Sequence, residues 1–230
     1  MLYFLHGLNG YPEEWDPFLT YFKAKGFQCE SVNFMKDFDL RKTNFSDYVN
    51  KITSIVSKND VVIGHSMGGL LMLKVAEQVS LKAGIAICPA PPNGFEKNSI
   101  SFLKQMRYLP KILFHIPFKP SYPLYSSLFV KNLDEQSAKR QYARLQKQSA
   151  MVTYDVMRGR IQVDASKISC PLFLISTKDD PAIPSRTVEY MAEAYQAAFK
   201  LYPGDHYIFS RWDDIAQGIY DFLKDKDINE

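Results

Sequence analysis

Short apolar runs recur along this chain, separated by stretches whose apolar residues fall three or four apart. The runs Leu2–Leu5, Phe27–Phe34, Val61–Ile63, Ala83–Ile87, Pro171–Ser176 and Ala198–Tyr202 read as strands. Between them lie helical patterns. Residues 12–25 place Trp15, Leu19 and Phe22 on one face and stop at Gly26. Ser46 reads as the N-cap of a helix carrying Val49, Ile52 and Val56. Further helices are expected from Gly68, over Ser185–Gln196, and over Trp212–Lys224 with Ile215, Ile219 and Phe222 on one stripe. Six short strands alternating with helices predict a mostly parallel sheet covered on both faces.

The alternation breaks between residues 91 and 165. Pro110, Pro117, Pro120 and Pro123 interrupt that stretch, and helices are expected over Ile100–Leu109 and Asp134–Met157. It reads as a helical insertion, leaving residues 1–90 and 166–230 as the core. Ligand sites of open α/β sheets lie beyond the carboxyl ends of the strands. An insertion after the Ala83–Ile87 strand is therefore expected to lie over the loop that ends the Val61–Ile63 strand.

That loop reads Gly64-His65-Ser66-Met67-Gly68, a G-x-S-x-G between a strand and a helix. So tight a turn strains the serine backbone, and the flanking glycines relieve the crowding because they carry no Cβ. The hydroxyl is held at a helix N-terminus, where backbone N–H groups favour negative charge.

Composition narrows the picture. Hydrophobic residues make up 46% of the 230, ample for a core, and the net charge of +3 gives no sign of nucleic-acid binding. Cys29, Cys88 and Cys170 form neither a metal pattern nor a disulfide framework, which suits a reducing, cytoplasmic setting. The first residues lack the basic region and cleavage site of a signal peptide, and no apolar run is long enough to span a bilayer.

A serine hydroxyl needs a base, and the base needs an orienting group. Four histidines compete. His65 should point away from its neighbour's hydroxyl, His6 should brace the first glycine loop, and His115, between Phe114 and Ile116, should pack. His206, in the loop after the last strand, is the base candidate. The acid should come from Thr177-Lys178-Asp179-Asp180-Pro181, after the Pro171–Ser176 strand, with Asp180 preferred and Asp179 the fallback. Asp205 reads as an ordinary turn residue. Backbone donors for an oxyanion are expected at Leu8 and Met67.

The order Ser66, Asp180, His206, with His6-Gly7, the Gly64–Gly68 elbow, Asp180 with Pro184, and Gly204-Asp205-His206, resembles the α/β-hydrolase superfamily. The resemblance covers residues 1–90 and 166–230. It implies a three-layer α/β-hydrolase fold with a helical cap, a serine hydrolase working through an acyl-enzyme, and no metal or organic cofactor. Two strands that usually precede this point in the family are missing from the pattern. The sheet edge so exposed is a candidate for homodimer pairing.

The insertion carries twelve lysines and arginines against five acidic residues, a net +7, which leaves the rest of the chain at −4. Its aromatics include Phe102, Tyr108, Phe114, Phe118, Tyr122, Tyr125 and Phe129. An apolar pocket under a basic surface would suit an acyl chain on an anionic carrier, acyl carrier protein or coenzyme A. In this the chain is similar to cap-bearing carboxylesterases acting on acyl-carrier-protein methyl esters. Solvated helix faces explain the same charges. The expected reaction is carboxylic-ester hydrolysis. Thioester, amide or carbon–carbon hydrolysis, a cofactor-free lyase, and a non-catalytic ligand-binding protein are the alternatives.

Overall fold

In the computed structural model, which describes residues 1–96 and 108–228, six strands form one sheet: β1 (Leu2–Leu5), β2 (Cys29–Val32), β3 (Val61–His65), β4 (Ala83–Ile87), β5 (Leu172–Thr177) and β6 (Ala198–Tyr202). Their order is β2-β1-β3-β4-β5-β6, and every pairing is parallel, so the mostly parallel expectation becomes fully parallel. β3 and β4 are buried at every position, as strands covered on both faces must be.

Alternate side chains build two cores. Phe4, Ile63, Ile85, Ile87 and Phe173 face α1 (Asp16–Ala24) and the last helix, Trp212–Asp225. Leu5, Val62, Ala86 and Leu174 face α2 (Phe45–Thr53), α3 (Met67–Ala76) and the helix Ser185–Ala194. The result is three layers. A short 3-10 turn, Pro12–Trp15, precedes α1, splitting the single helix expected there. α2 begins earlier than expected: Asn44, not Ser46, caps it, accepting a hydrogen bond from the Asp47 amide while Asp47 accepts one from the Asn44 amide.

Chain order reverses between β1 and β3, since β1 leads outward to β2 while β3 leads the other way to β4. Such a switch point opens a crevice at the carboxyl ends of the strands. The loops after β1, β3, β5 and β6 all emerge at that end.

Among the described residues between β4 and β5 lie four short helices, α4 (Leu109–Leu113), α5 (Tyr122–Leu128), α6 (Glu135–Arg144) and α7 (Ala150–Arg158). The Ser185–Ala194 helix is then α8 and Trp212–Asp225 is α9. The helix expected over Ile100–Leu109 lies outside the described residues apart from its end. The one expected over Asp134–Met157 is two helices. They are separated where Phe118 and Gln148 exchange backbone bonds in an antiparallel bridge, and Ser149 caps the second. His115 does not pack: it is exposed beside Phe114, itself 67% exposed. Among the described residues no helix is long and apolar enough to cross a membrane.

Candidate active site

Ser66 sits between β3 and α3 with φ 54° and ψ −118°, a conformation that costs a side-chain-bearing residue about 1–3 kcal/mol. The surroundings hold it there. Its amide donates to the Ile87 carbonyl, and its carbonyl accepts from the Gly69, Leu70 and Ala90 amides. A Cβ on Gly64 would overlap the Gly68 backbone, and one on Gly68 would overlap the Leu5 and His6 carbonyls. Those glycines let β3, α3 and the end of β1 close on one another.

His206 occupies the loop after β6. Its Nδ1–H donates to Asp180 Oδ2 at 2.7 Å, which leaves Nε2 for the cleft. Asp180 is buried, and its other oxygen accepts from the Ala182 and Ile183 amides at 2.8 and 2.9 Å. Three N–H donors converge on this one carboxyl group. Asp179 is exposed and contributes only its amide, to the Gly204 carbonyl. The structure therefore separates the two carboxylates that the loop offers.

The histidine loop is tied down from several sides. His65 Nε2–H donates to the His206 carbonyl at 3.0 Å, and the Thr177 hydroxyl donates to the Asp205 carbonyl at 2.8 Å. The His206 ring lies between His65 and Phe129, with centroids 4.8 and 5.4 Å away. Burial, and then the nearness of His206, hold His65 well below its ordinary pKa, so it is a neutral brace. His6 donates from Nδ1 to the Gly7 carbonyl and stacks on Phe34 at 4.2 Å; burial pushes it down to about 4. It braces the first loop, as its place beside Gly7 suggests.

Ser66 and His206 line one cleft, together with Leu8, Asn9, Glu14, Tyr125, Phe129, Leu145, Tyr207 and Phe209 among others. Leu8 stands on its wall, and Met67 begins α3, where the first backbone N–H groups of a helix have no partner within it.

Several contributors carry little sequence signal. Asn9, at φ 63°, donates from its side chain to the Phe118 and Gln146 carbonyls at 2.9 Å each, and its own carbonyl accepts from the Gln146 amide. Asp205 is more than the turn residue expected. Buried, it accepts from the Tyr207 amide and, at 2.7 Å, from the Asn132 amide, joining the histidine loop to the segment between β4 and β5. The His-Gly-Leu-Asn-Gly sequence hints at Asn9, because Asn tolerates positive φ; nothing local in sequence marks Glu14 or Phe129.

One group of metal-ligand types occurs among the described residues: Cys88, Asp180 and His206, with ligand atoms within 4.8 Å. The facing atoms of Asp180 and His206 are already joined by their hydrogen bond. Burial, then the charge of Asp180, pushes the Cys88 thiol well above its ordinary pKa. A protonated thiol beside a closed acid–base pair does not make a cation cage.

The profile of the alpha/beta hydrolase family matches residues 2–217. The chain belongs to the alpha/beta hydrolase family. Among solved structures, this hydrolase-family chain is similar to a monoacylglycerol lipase from Paleococcus ferrophilus, at 18% identity over 98% of this chain and 94% of that one, TM-score 0.72. It is similar to an extracellular alpha/beta-hydrolase from a Paenibacillus species, at 15% identity over 96% and 97%, TM-score 0.74. It is also similar to tomato methylketone synthase I, at 12% identity over 98% of each chain, TM-score 0.74. At these identities the likeness is one of fold. No curated protein matches the sequence.

Proposed function

We propose that this protein is a serine hydrolase that cleaves carboxylic esters through an acyl-enzyme at Ser66. The observation that carries the reading is the buried Asp180–His206 pair, joined at 2.7 Å and opening on the cleft that Ser66 lines. The names of the structural neighbours span a lipase and a ketone synthase. Fold therefore does not decide the chemistry, and the argument rests on side chains.

In this reading His206 Nε2 takes the Ser66 hydroxyl proton as the oxygen attacks the ester carbonyl. Asp180 holds the Nδ1–H tautomer and favours the imidazolium that forms. The carbonyl oxygen becomes an oxyanion against the Leu8 and Met67 N–H groups, donors of a kind that contribute about 2.7–4 kcal/mol each. His206 returns the proton to the leaving alkoxide. Water, deprotonated by His206, then attacks the acyl-enzyme, and the acid departs as Ser66 regains its proton. The segment described between β4 and β5 serves as a cap: Phe129 reaches His206, and Tyr125 and Leu145 complete the cleft.

A fluorophosphonate probe tests the reading. Labelling at Ser66, absent in Ser66→Ala, with turnover of short p-nitrophenyl esters is the expected result. Labelling without turnover of any ester or thioester would overturn it in favour of a lyase or a ligand-binding protein.

A further inference from the structure

The cleft beside Ser66 is not uniformly apolar. Glu14, from the turn before α1, lines it together with Tyr125 and Tyr207. Gly10 leaves the room: a Cβ there would lie 2.7 Å from Glu14 Oε2. The carboxyl accepts one hydrogen bond among the described residues, a long one of 3.4 Å from the Tyr11 amide. Glu14 is half-buried, and most of its hydrogen-bonding capacity is left for a group in the cleft. Neither Glu14 nor the two tyrosines has a part in the acyl transfer described above.

We propose that Glu14, Tyr125 and Tyr207 form a polar subsite of the Ser66 cleft that binds a hydroxyl group carried by the substrate. The inference rests on the hydrolase reading and deepens it by naming a substrate class.

Two observations favour a hydroxyl over a cation. Two phenols and a carboxyl offer donors as well as acceptors, and a hydroxyl uses both whereas an ammonium uses only acceptors. The carboxyl is also poised between its two forms. Burial pushes it up to about 7, and the charge of Glu13 adds to this; the Tyr11 amide and the Arg144 guanidinium pull it down. Tyr11, Tyr125 and Tyr207 lie near it: burial first, and then the Glu14 charge, raises each phenol's pKa. A hydroxyl can donate to the ionised carboxylate or accept from the neutral acid. A site built for an ammonium would hold the carboxylate fully ionised.

Two isosteric ester pairs test this and separate the two sides of the ester. 2-Hydroxyethyl butyrate against propyl butyrate places the hydroxyl on the alcohol. Ethyl 3-hydroxybutyrate against ethyl 3-methylbutyrate places it on the acyl group. Affinities are measured by calorimetry on Ser66→Ala, which cannot turn the esters over, and kcat/KM on the unaltered enzyme. In one pair the hydroxyl ester is expected to win by at least about tenfold, the worth of one hydrogen bond to a charged group. Glu14→Ala brings that ratio close to one. Tyr207→Phe lowers it in the same direction and decides the matter if Glu14→Ala fails to fold.

No preference in either pair, or a preference that survives both substitutions, overturns the subsite. So does a choline ester preferred over the hydroxyethyl ester. Fluorophosphonate labelling of Ser66 reads the hydrolase assignment separately. Labelling without hydroxyl preference sinks the subsite alone; hydroxyl preference in binding without labelling sinks the hydrolase reading alone.

Discussion

The floor of the cleft and its roof are held by different physics. The floor stands on β3 and β5, buried at every position between two large apolar cores, and its side chains follow the ends of these strands and of β6. The roof, residues 108–165, has two small apolar clusters of its own. Val152 and Val156 of α7 belong to one of the large cores, but residues 108–149 are fastened to it by polar ties: Asn9 to Phe118 and Gln146, Asp205 to Asn132, Tyr48 to Gln148, and the Ser149 hydroxyl to the Thr43 carbonyl. Apolar burial is non-directional and spread over many contacts, whereas a buried hydrogen bond is a point attachment whose loss leaves its partner unpaired. The floor should therefore fail as a whole, and residues 108–149 of the roof tie by tie.

The largest effect is expected on the floor's chemistry. Asp180→Asn keeps the shape of the side chain but no longer holds the His206 tautomer, and kcat should fall by about 10⁴-fold. Asp179→Asn, one residue away and exposed, should stay within about twofold of the unaltered enzyme. Steady-state kinetics on a p-nitrophenyl ester reads both, and equal losses would show that the buried pair has no special part. Next comes the elbow. Gly64→Ala drives a methyl into the Gly68 backbone, which cannot swing away as a flexible side chain would. We expect a loss of about 4 kcal/mol or more, the range of severe core disruptions, read by urea unfolding. A loss below 1 kcal/mol would mean that the elbow is pliable.

Floor and roof also differ in how far the sequence discloses them. The strand ends at Ala83–Ile87 agree with the structure residue for residue, because burial on both faces demands an unbroken apolar run; those of Ala198–Tyr202 agree too, although this edge strand is largely exposed and carries Lys200. Ser66 stands out through its glycines, whose necessity is steric and local. The choice between Asp179 and Asp180 can be leaned on from spacing, but only the fold turns one to solvent and the other to His206. The roof resists such reading. Its break at residues 145–149 follows from the Phe118–Gln148 bridge, a contact between residues far apart in sequence, while the helical spacing runs on across it. Glu14 and Phe129 join the cleft through the same kind of remote convergence. His115 shows the converse: apolar neighbours in sequence suggested packing, yet that turn is exposed.

A third effect comes from buried histidines at the floor. His6, with a folded pKa of about 4 against 6.5 unfolded, and His65, also lowered, are neutral in the native protein. The unfolded chain takes up protons first as pH falls. The contribution of each is complete above about pH 6.5 and is lost as pH falls; for His6 the loss runs towards pH 4 and levels off below it. For His6 alone this amounts to about 3 kcal/mol. Urea unfolding between pH 7 and 4 should show the decline, and His6→Gln should shallow its slope by one proton. An unchanged slope in that variant would mean that His6 is protonated in the fold.

The smallest effect discriminates best between floor and roof. Asn9 takes a positive φ that glycine adopts freely, so Asn9→Gly removes the side-chain amide without adding backbone strain. The Phe118 and Gln146 carbonyls each lose a donor, and the tie should weaken by about 1–3 kcal/mol. If the roof opens independently, the loss appears locally. Amide hydrogen exchange at Phe118 and Gln148, whose N–H groups make the antiparallel bridge, should quicken by about tenfold or more, while Ile63 and Ile85 in the sheet exchange as before. Equal acceleration at both places would mean that roof and floor unfold as one unit. The polar ties would then be part of a single cooperative core, and the distinction drawn between point attachment and shared burial would fall with it.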